Sequence, residues 1–294
     1  MPNLKEVRTR IASVKSTQQI TSAMKMVAAS KLRRAQNAIL RMRPYAAKLK
    51  EILQNLSASI DSTGDNAYTR QSKPDKVLII VLTSNRGLCG AFNSNIIKNT
   101  LQSIEKYKTS YNDGNLSLIT IGRKGTEYFT KKGYNVIASY DSLYDNLTWN
   151  NATDIATELM KSFVALKYDR IEIVYNQFRN AAVQNITVEQ FLPIEPPAVD
   201  PSISNKNQVD YIFEPSQEEI VSELIPKSLK IQFYKALLDS YASEHGARMT
   251  AMHQATDNAR DLIKDLNLAY NKARQAAITK EILEIVSGAE ALKG

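Results

Sequence analysis

Apolar residues near the N-terminus recur in alternating steps of three and four, the spacing of a coiled-coil seam. The N-terminal seam positions are Leu4, Val7, Ile11, Val14, Gln18, Thr21, Lys25, Ala28, Leu32, Ala35, Ile39, Met42, Ala46, Leu49, Leu53 and Leu56. Only Gln18, Thr21 and Lys25 among them are polar. Because the repeat averages about 3.5 residues over this length, it predicts a long helix that packs along a partner helix.

The C-terminal end carries a matching seam. Its positions are Ile231, Tyr234, Leu238, Tyr241, His245, Arg248, Met252, Ala255, Ala259, Leu262, Leu266, Ala269, Ala273, Ala276, Lys280 and Leu283. We therefore expect the two ends to form one antiparallel coiled coil, in which the many alanines let the helices approach closely. The C-terminal helix is the longer one, so residues 278–288 are expected to project beyond the N-terminal helix. Leu283 is counted as a packed seam residue.

The middle of the chain alternates between strand and helix patterns. Strands are predicted at 76–82, 116–122, 134–140, 170–178 and 183–194, and helices at 93–108, 123–132 and 151–167. This alternation favours a three-layer, Rossmann-like α/β domain with a mainly parallel sheet. The predicted fold class is therefore α+α/β, an α/β domain inserted between two coiled-coil helices. The predicted segments are an N-terminal helix (1–57), a linker (58–75), the α/β domain (76–194), a second linker (195–216) and a C-terminal helix (217–294).

Charge is distributed unevenly along the 294 residues. The net charge is +8, yet residues 1–57 contain twelve lysines and arginines against only Glu6 and Glu51, a balance of +10, so the remainder sums to −2. A helix this basic is expected to attract an acidic surface or a polyanion, although a solvated face is the ordinary alternative.

The longest aliphatic run, at 77–82, is too short to cross a bilayer, so any membrane association is expected to occur through partners. A single cysteine, Cys89, fits a reducing compartment.

No pattern of catalytic residues stands out. The stretch SNRGLCGAFN (84–93) follows a strand and precedes a helix, where α/β sheets often bind phosphate, but it matches neither GxGxxG nor GxxxxGK[ST]. A tight turn that leaves Arg86 available for an external contact is the expected structure. His245 and His253 are eight residues apart, which is not the spacing of a helical metal site. We expect no active site, no cofactor and no bound metal.

Four stretches of the chain are distinctive: RIASVKSTQQITSAMKMVAASKLRRAQ (10–36), SNRGLCGAFN (84–93), ASEHGARMTAMHQATDNA (242–259) and ITKEILEIVSGAEA (278–291). Together and in this order they resemble one known family, the gamma subunit of the F-type ATP synthase. The resemblance extends over essentially the whole chain. Two positions depart from the family pattern, since Asn85 stands where aspartate is usual and Gly246 where alanine is usual. The first departure is expected to weaken an ion pair, and the second to soften the helix near His245.

The resemblance implies a non-catalytic rotor shaft that transmits rotation and regulates both catalysis and proton flow. In that family the coiled coil stands inside a ring of alpha and beta subunits. The α/β domain lies beside epsilon and the membrane-embedded c-ring. The implied location is the cytoplasmic face of the bacterial inner membrane, reached only through partners.

The resemblance also implies contact residues. The family's segment that faces acidic loops of beta is matched here by Met24, Lys25, Lys31, Arg33 and Arg34. Arg274, Gln275, Thr279 and Glu281 match positions that hydrogen-bond to the ring. Ile282, Leu283, Ile285 and Val286 would sit in an apolar collar. For each of these residues, seam packing or simple solvation is the alternative.

Two other functions are compatible with parts of the sequence. The basic N-terminal helix could bind nucleic acid, but basic arms of that kind extend beyond their zipper, whereas here the seam continues through the basic region. A nucleotide-binding enzyme built on the central domain would require measurable affinity of the isolated chain for ATP.

Overall fold

The computed structural model describes residues 4–59, 67–70, 73–194 and 217–291. Its long helices are α1 (Leu4–Ser59) and α6 (Gln217–Ala291). Between them lie β1 (Val77–Leu82), α2 (Phe92–Lys106), α3 (Lys108–Asn112), β2 (Leu116–Ile121), α4 (Arg123–Lys131), β3 (Val136–Ser139), a 3-10 helix (Asp141–Asp145), α5 (Trp149–Val164), β4 (Arg170–Phe178) and β5 (Gln184–Leu192). The predicted linker at 195–216 and part of the one at 58–75 lie outside the described residues, so the segment boundaries stay a prediction.

The chain divides into two compact units. Unit 1 comprises Met1–Ala28 and Arg248–Gly294, and unit 2 comprises Ala29–Ala247. Both long helices therefore contribute residues to both units.

In unit 1, α1 and α6 run antiparallel. The Thr21 and Thr256 hydroxyl oxygens are 2.9 Å apart, and Lys25 Nζ lies 3.3 Å from His253 Nδ1. A step of four residues forward along α1 is thus matched by three residues backward along α6, which is the predicted direction of pairing. Every seam position of α1 in this unit is buried or half-buried.

The seam of α6 in unit 1 is packed as far as residue 276, with one exception. Leu262 is 38% exposed, and the next residue, Ile263, is half-buried in its place. At this one level the packed position lies one residue later along the chain. The original count holds again from Leu266, which is buried.

The C-terminal end of α6 extends beyond the described start of α1. Leu4 precedes Thr21 by seventeen residues, and Ala273 follows Thr256 by seventeen, so the register places Leu4 level with Ala273. The rest of α6, to Ala291, would be about 27 Å long at 1.5 Å per residue. Every residue from 278 to 291 is exposed, as expected for a projecting end. The prediction that Leu283 packs in the seam is wrong, because this side chain is 63% exposed and no described residue of α1 is level with it.

Unit 2 contains one five-stranded sheet in the order β3-β2-β1-β4-β5. β1 pairs in parallel with both β2 and β4, and all six of its residues are buried. β5 is the exception to the parallel pattern and runs antiparallel to β4. Only a short turn separates Phe178 from Gln184, and a parallel return requires a crossover of about a dozen residues or more.

Helices cover both faces of this sheet, which confirms the three-layer α/β fold. Ile96 and Ile104 of α2 and Phe129 of α4 pack on one face. On the other face, Phe163 of α5 joins Leu229, Phe233, Ala236 and Leu237 of α6. The C-terminal long helix thus supplies part of the third layer. In the described part of the chain, none of the helices combines the length and apolarity needed to span a membrane.

Candidate functional site

Three basic side chains of α1 point into solvent in unit 2. Lys31, Arg33 and Arg34 are exposed, and none of them pairs with a carboxylate among the residues that the structure describes. Unpaired cations on one short stretch of helix create a positive potential that can steer an acidic partner. Met24 and Lys25, in unit 1, are half-buried, and the Lys25 ammonium already contacts α6 through His253.

Large apolar side chains are also exposed on α1 in unit 1. Met26 is 65% exposed, and Ile20 and Val27 are exposed by more than half. All three lie off the seam, so the seam pattern did not identify them. These three residues could have been identified from the sequence, because they are large apolar residues of the N-terminal helix that the seam does not include. Exposed apolar side chains of this size commonly mark an interaction surface when they are grouped.

The projecting end of α6 is amphipathic. Ile278, Ile282, Ile285 and Val286 are exposed, and Ile285 reaches 71%. Their spacing of four, three and one places them along one side of the helix. Leu283 adds a fifth exposed apolar side chain, whereas Lys280 and Glu284 form an ion pair of 3.6 Å. This end of α6 offers an apolar surface with few hydrogen-bonding groups.

Polar candidates precede and accompany that apolar surface. Arg274, Gln275, Thr279 and Glu281 are all exposed. The Thr279 hydroxyl donates to the Gln275 carbonyl oxygen at 2.9 Å, which leaves the hydroxyl lone pairs open to an outside donor. The four side chains can therefore offer donors and acceptors to a partner.

The turn between β1 and α2 is held at the carboxyl edge of the sheet. The Ser84 hydroxyl donates to the Arg86 carbonyl oxygen at 2.7 Å, and Ser84 N donates to Asn93 Oδ1 at 3.0 Å. Leu88 adopts a φ of 62°, and its side chain is exposed, as is that of Arg86. The turn thus presents one cation and one apolar side chain, and Leu88 was not among the sequence candidates.

Asn85 connects three loops at the same edge of the sheet. Its Nδ2 donates to the Asp141 carbonyl oxygen at 2.6 Å, and its Oδ1 accepts from Arg123 N at 3.1 Å. An amide can donate and accept at once, whereas an ionised carboxylate only accepts. Asn85 therefore fits a structural bridge between the loops after β1, β2 and β3.

The side chains on these surfaces are of the kinds that bind a partner. Among the described residues, no group of three or more histidine, cysteine, aspartate or glutamate side chains could hold a metal ion. The candidate side chains are exposed cations, apolar groups and hydrogen-bonding groups, most of them on helices. Such an arrangement suits protein–protein recognition.

Comparison with known proteins identifies the family. A family model described as ATP synthase matches residues 3–292. The ATP synthase gamma chain of Flavobacterium psychrophilum is 58% identical over 294 residues and covers all of both chains. That of Cytophaga hutchinsonii is 56% identical over 293 residues, 99% of each chain. The chain belongs to the ATP synthase gamma-chain family.

Solved structures have a similar fold. A chain from the central stalk and c-ring structure of Tetrahymena thermophila mitochondrial ATP synthase has a TM-score of 0.58 and 25% identity, covering 80% of this chain and 99% of that one. A chain from Euglena gracilis mitochondrial ATP synthase has a TM-score of 0.67 at 20% identity, covering 98% and 94%, and supports the fold. Nothing in these comparisons supports the nucleic-acid interpretation of the basic helix.

Proposed function

We propose that this gamma chain is the central rotor shaft of an F-type ATP synthase, transmitting rotation between a proton-driven c-ring and a catalytic alpha–beta ring. It makes and breaks no bond itself, and it regulates catalysis and proton flow through its contacts. The observation that carries the proposal is the end of α6, where every residue from 278 to 291 is exposed and five large apolar side chains are between 45% and 71% exposed.

The end of α6 would turn inside an apolar collar of the alpha–beta ring. Ile282, Ile285 and Val286 would contact that collar, where few directional bonds resist rotation. Nearer the middle of the shaft, hydrogen bonds to the ring would come from Arg274, Gln275, Thr279 and Glu281. These bonds couple the angle of the shaft to the state of the ring.

The basic side chains of α1 would contact acidic loops of beta. Lys31, Arg33 and Arg34 are exposed and unpaired among the described residues, which suits an acidic partner. Met24 and Lys25 would contribute their exposed portions, and Arg86 would make a separate external contact. The α/β domain would contact epsilon and the c-ring, placing the chain at the cytoplasmic face of the bacterial inner membrane as a peripheral subunit.

Truncation of α6 tests this role. A chain that ends at Glu281 keeps the packed seam and the four hydrogen-bonding residues, and it loses Ile282, Leu283, Ile285 and Val286. Reconstituted with its alpha and beta partners, it is expected to assemble nearly normally but to hydrolyse ATP more slowly, since the collar no longer guides the shaft. Turnover per assembled complex and yield of complex are the two measurements. Unchanged turnover in the truncated complex would contradict the proposal.

The non-catalytic part of the proposal has its own test. Titration calorimetry of ATP into the isolated full-length chain is expected to give no binding heat. A saturable heat with one site per chain would instead favour a nucleotide-binding domain.

A further inference from the structure

The α1 seam is interrupted by the polar residues Gln18, Thr21 and Lys25, and unit 1 gives two of them partners on α6. The Thr21 and Thr256 hydroxyl oxygens are 2.9 Å apart, and both side chains are buried. One turn along, Lys25 Nζ lies 3.3 Å from His253 Nδ1. A polar layer with two cross-helix contacts thus interrupts the apolar seam.

His253 Nδ1 has a second charged neighbour, a carboxylate, whose charge is opposite to that of the Lys25 ammonium. Asp257 Oδ2 also lies 3.3 Å from this nitrogen, one turn further along α6. The other oxygen of the carboxylate, Oδ1, is 3.2 Å from the Arg260 guanidinium. One ring nitrogen therefore lies between a cation of α1 and an anion of its own helix.

The two contacts of this nitrogen exclude each other. An unprotonated imidazole nitrogen only accepts hydrogen bonds, and a protonated one only donates. With its lone pair, Nδ1 accepts from the Lys25 ammonium but can form no hydrogen bond with the Asp257 carboxylate. With a proton, it donates to Asp257 and can no longer accept from Lys25. The imidazolium charge also repels the Lys25 ammonium.

We propose that His253 makes the contact between α1 and α6 dependent on pH. The neutral ring binds Lys25 across the helix pair, and protonation replaces that bond with an ion pair inside α6. The cross-helix bond forms while Nδ1 keeps its lone pair, and it is lost as the pH falls and Nδ1 takes up a proton.

In the described part of the chain, the charged side chains in contact with the ring are Lys25 from α1 and Asp257 from α6, and Arg260 in turn contacts Asp257. The Thr21–Thr256 contact contains no titratable group, so it keeps the register of the helices whether or not His253 is protonated. Acidification therefore loosens one level of the polar layer without shifting the helices along each other. The inference concerns contacts within unit 1 and does not depend on the proposed rotor function.

A double-mutant cycle in the full-length chain tests the exchange. The four chains are the unaltered protein, Lys25→Met, His253→Ala and the double variant. Hydrogen exchange of the α1 amides from Gln18 to Ala28, corrected for the intrinsic effect of pH, gives the local opening equilibrium of each chain. At about pH 8 the Lys25–His253 coupling is expected to reduce opening roughly two- to five-fold. At about pH 5.5 it is expected to vanish or change sign. His245 is present in all four chains, so its contribution cancels in the cycle.

A matched variant and a direct observation complete the test. His253→Asn places an amide oxygen near the position of Nδ1, and this oxygen accepts from Lys25 at every pH, so its coupling to Lys25 should persist at about pH 5.5. Nitrogen-15 NMR of the unaltered protein should find the neutral ring protonated at Nε2. The proposal is overturned if the His253 coupling is equal at both pH values, if the asparagine variant loses coupling on acidification, or if the neutral ring carries its proton on Nδ1.

Discussion

At the scale of single residues, Gly246 has a packing role. A Cβ atom built at this position would lie 3.2 Å from Ala181 Cα and 3.3 Å from the Ala181 carbonyl oxygen. The glycine therefore lets the turn between β4 and β5 approach α6 within unit 2. The sequence had suggested a softened helix, because glycine inside a helix costs about 1 kcal/mol relative to alanine. The close backbone contact gives the glycine a physical reason to be there.

Gly246→Ala is expected to destabilise the protein by about 1 kcal/mol. The gain in helix propensity is outweighed by crowding against a backbone that has little room to move, since overpacking costs about 1–3 kcal/mol. Denaturant unfolding of the full-length chain measures the change. Gly288→Ala is the matched control, because an added Cβ there meets nothing within 4 Å, and it should leave stability unchanged or slightly raised. Equal stabilisation by both substitutions would contradict this role of Gly246.

Asn85→Asp is expected to lower the free energy of unfolding by about 1 kcal/mol or more. The carboxylate cannot donate to the Asp141 carbonyl oxygen, and it would bring an anionic oxygen to within about the present 2.6 Å of that carbonyl. The midpoint of denaturant unfolding is the measurement. Asn95→Asp on the exposed first turn of α2 is the control and should be neutral or slightly stabilising near a helix N-terminus. A tolerated Asn85→Asp change would mean that the bridge between the loops is dispensable.

At the scale of elements, α6 has two different structural roles along its length. In unit 2 its residues Phe233 and Leu237 pack against the sheet as part of the third layer. In unit 1 it forms an antiparallel pair with α1, and from residue 278 to 291 its side chains are exposed. The continuity of one helix links these roles, so a break in its middle should disrupt more than the local packing.

Leu262→Pro is expected to abolish assembly with the alpha and beta partners. Proline removes a backbone hydrogen bond and clashes with the preceding turn, at a cost of about 3 kcal/mol or more. Leu262→Ala is the matched control, because this side chain is already exposed and alanine favours helix, so that variant should assemble and pump protons normally. Normal ATP-driven proton pumping by the proline variant would contradict the shaft model.

At the scale of the whole molecule, the charge asymmetry indicates where an acidic partner would bind. The excess of positive charge lies in residues 1–57, and Lys31, Arg33 and Arg34 are exposed there. Exposed charges at an interface mainly accelerate association and make it sensitive to salt, while adding less to the final affinity. The basic part of α1 is therefore expected to govern how fast the chain enters its assembly.

Replacing Lys31, Arg33 and Arg34 together with glutamine is expected to slow association with the alpha–beta ring about ten-fold at low salt. The difference should shrink as the ionic strength rises, since screening weakens exposed charges. Stopped-flow association at several salt concentrations measures both effects. The control replaces three exposed lysines of the α/β domain, Lys98, Lys131 and Lys132, and so changes the net charge equally. An equal slowing in that control would show that net charge acts without regard to its position.

Much of the fold could be predicted because its elements have strong periodic patterns. The fully buried strand β1 was predicted from its continuous aliphatic run, and the helix pair from two matching seams. Leu262 and Leu283 were assigned to the seam wrongly, since a fixed repeat ignores both local changes in packing and the end of the partner helix. The exposed Ile20, Met26 and Val27 were missed because a seam count gives no information about residues outside it.

The sequence by itself determined most of the segments that are helices and strands, where the positive charge lies, and to which family the chain is similar. These properties follow from local patterns of apolar, polar and charged residues. Only the tertiary structure decided that α6 also covers the sheet, that Asn85 joins three loops, and that His253 Nδ1 lies between Lys25 and Asp257. These arrangements depend on distances between residues far apart in the chain, and such distances are set by the packing of whole elements against one another.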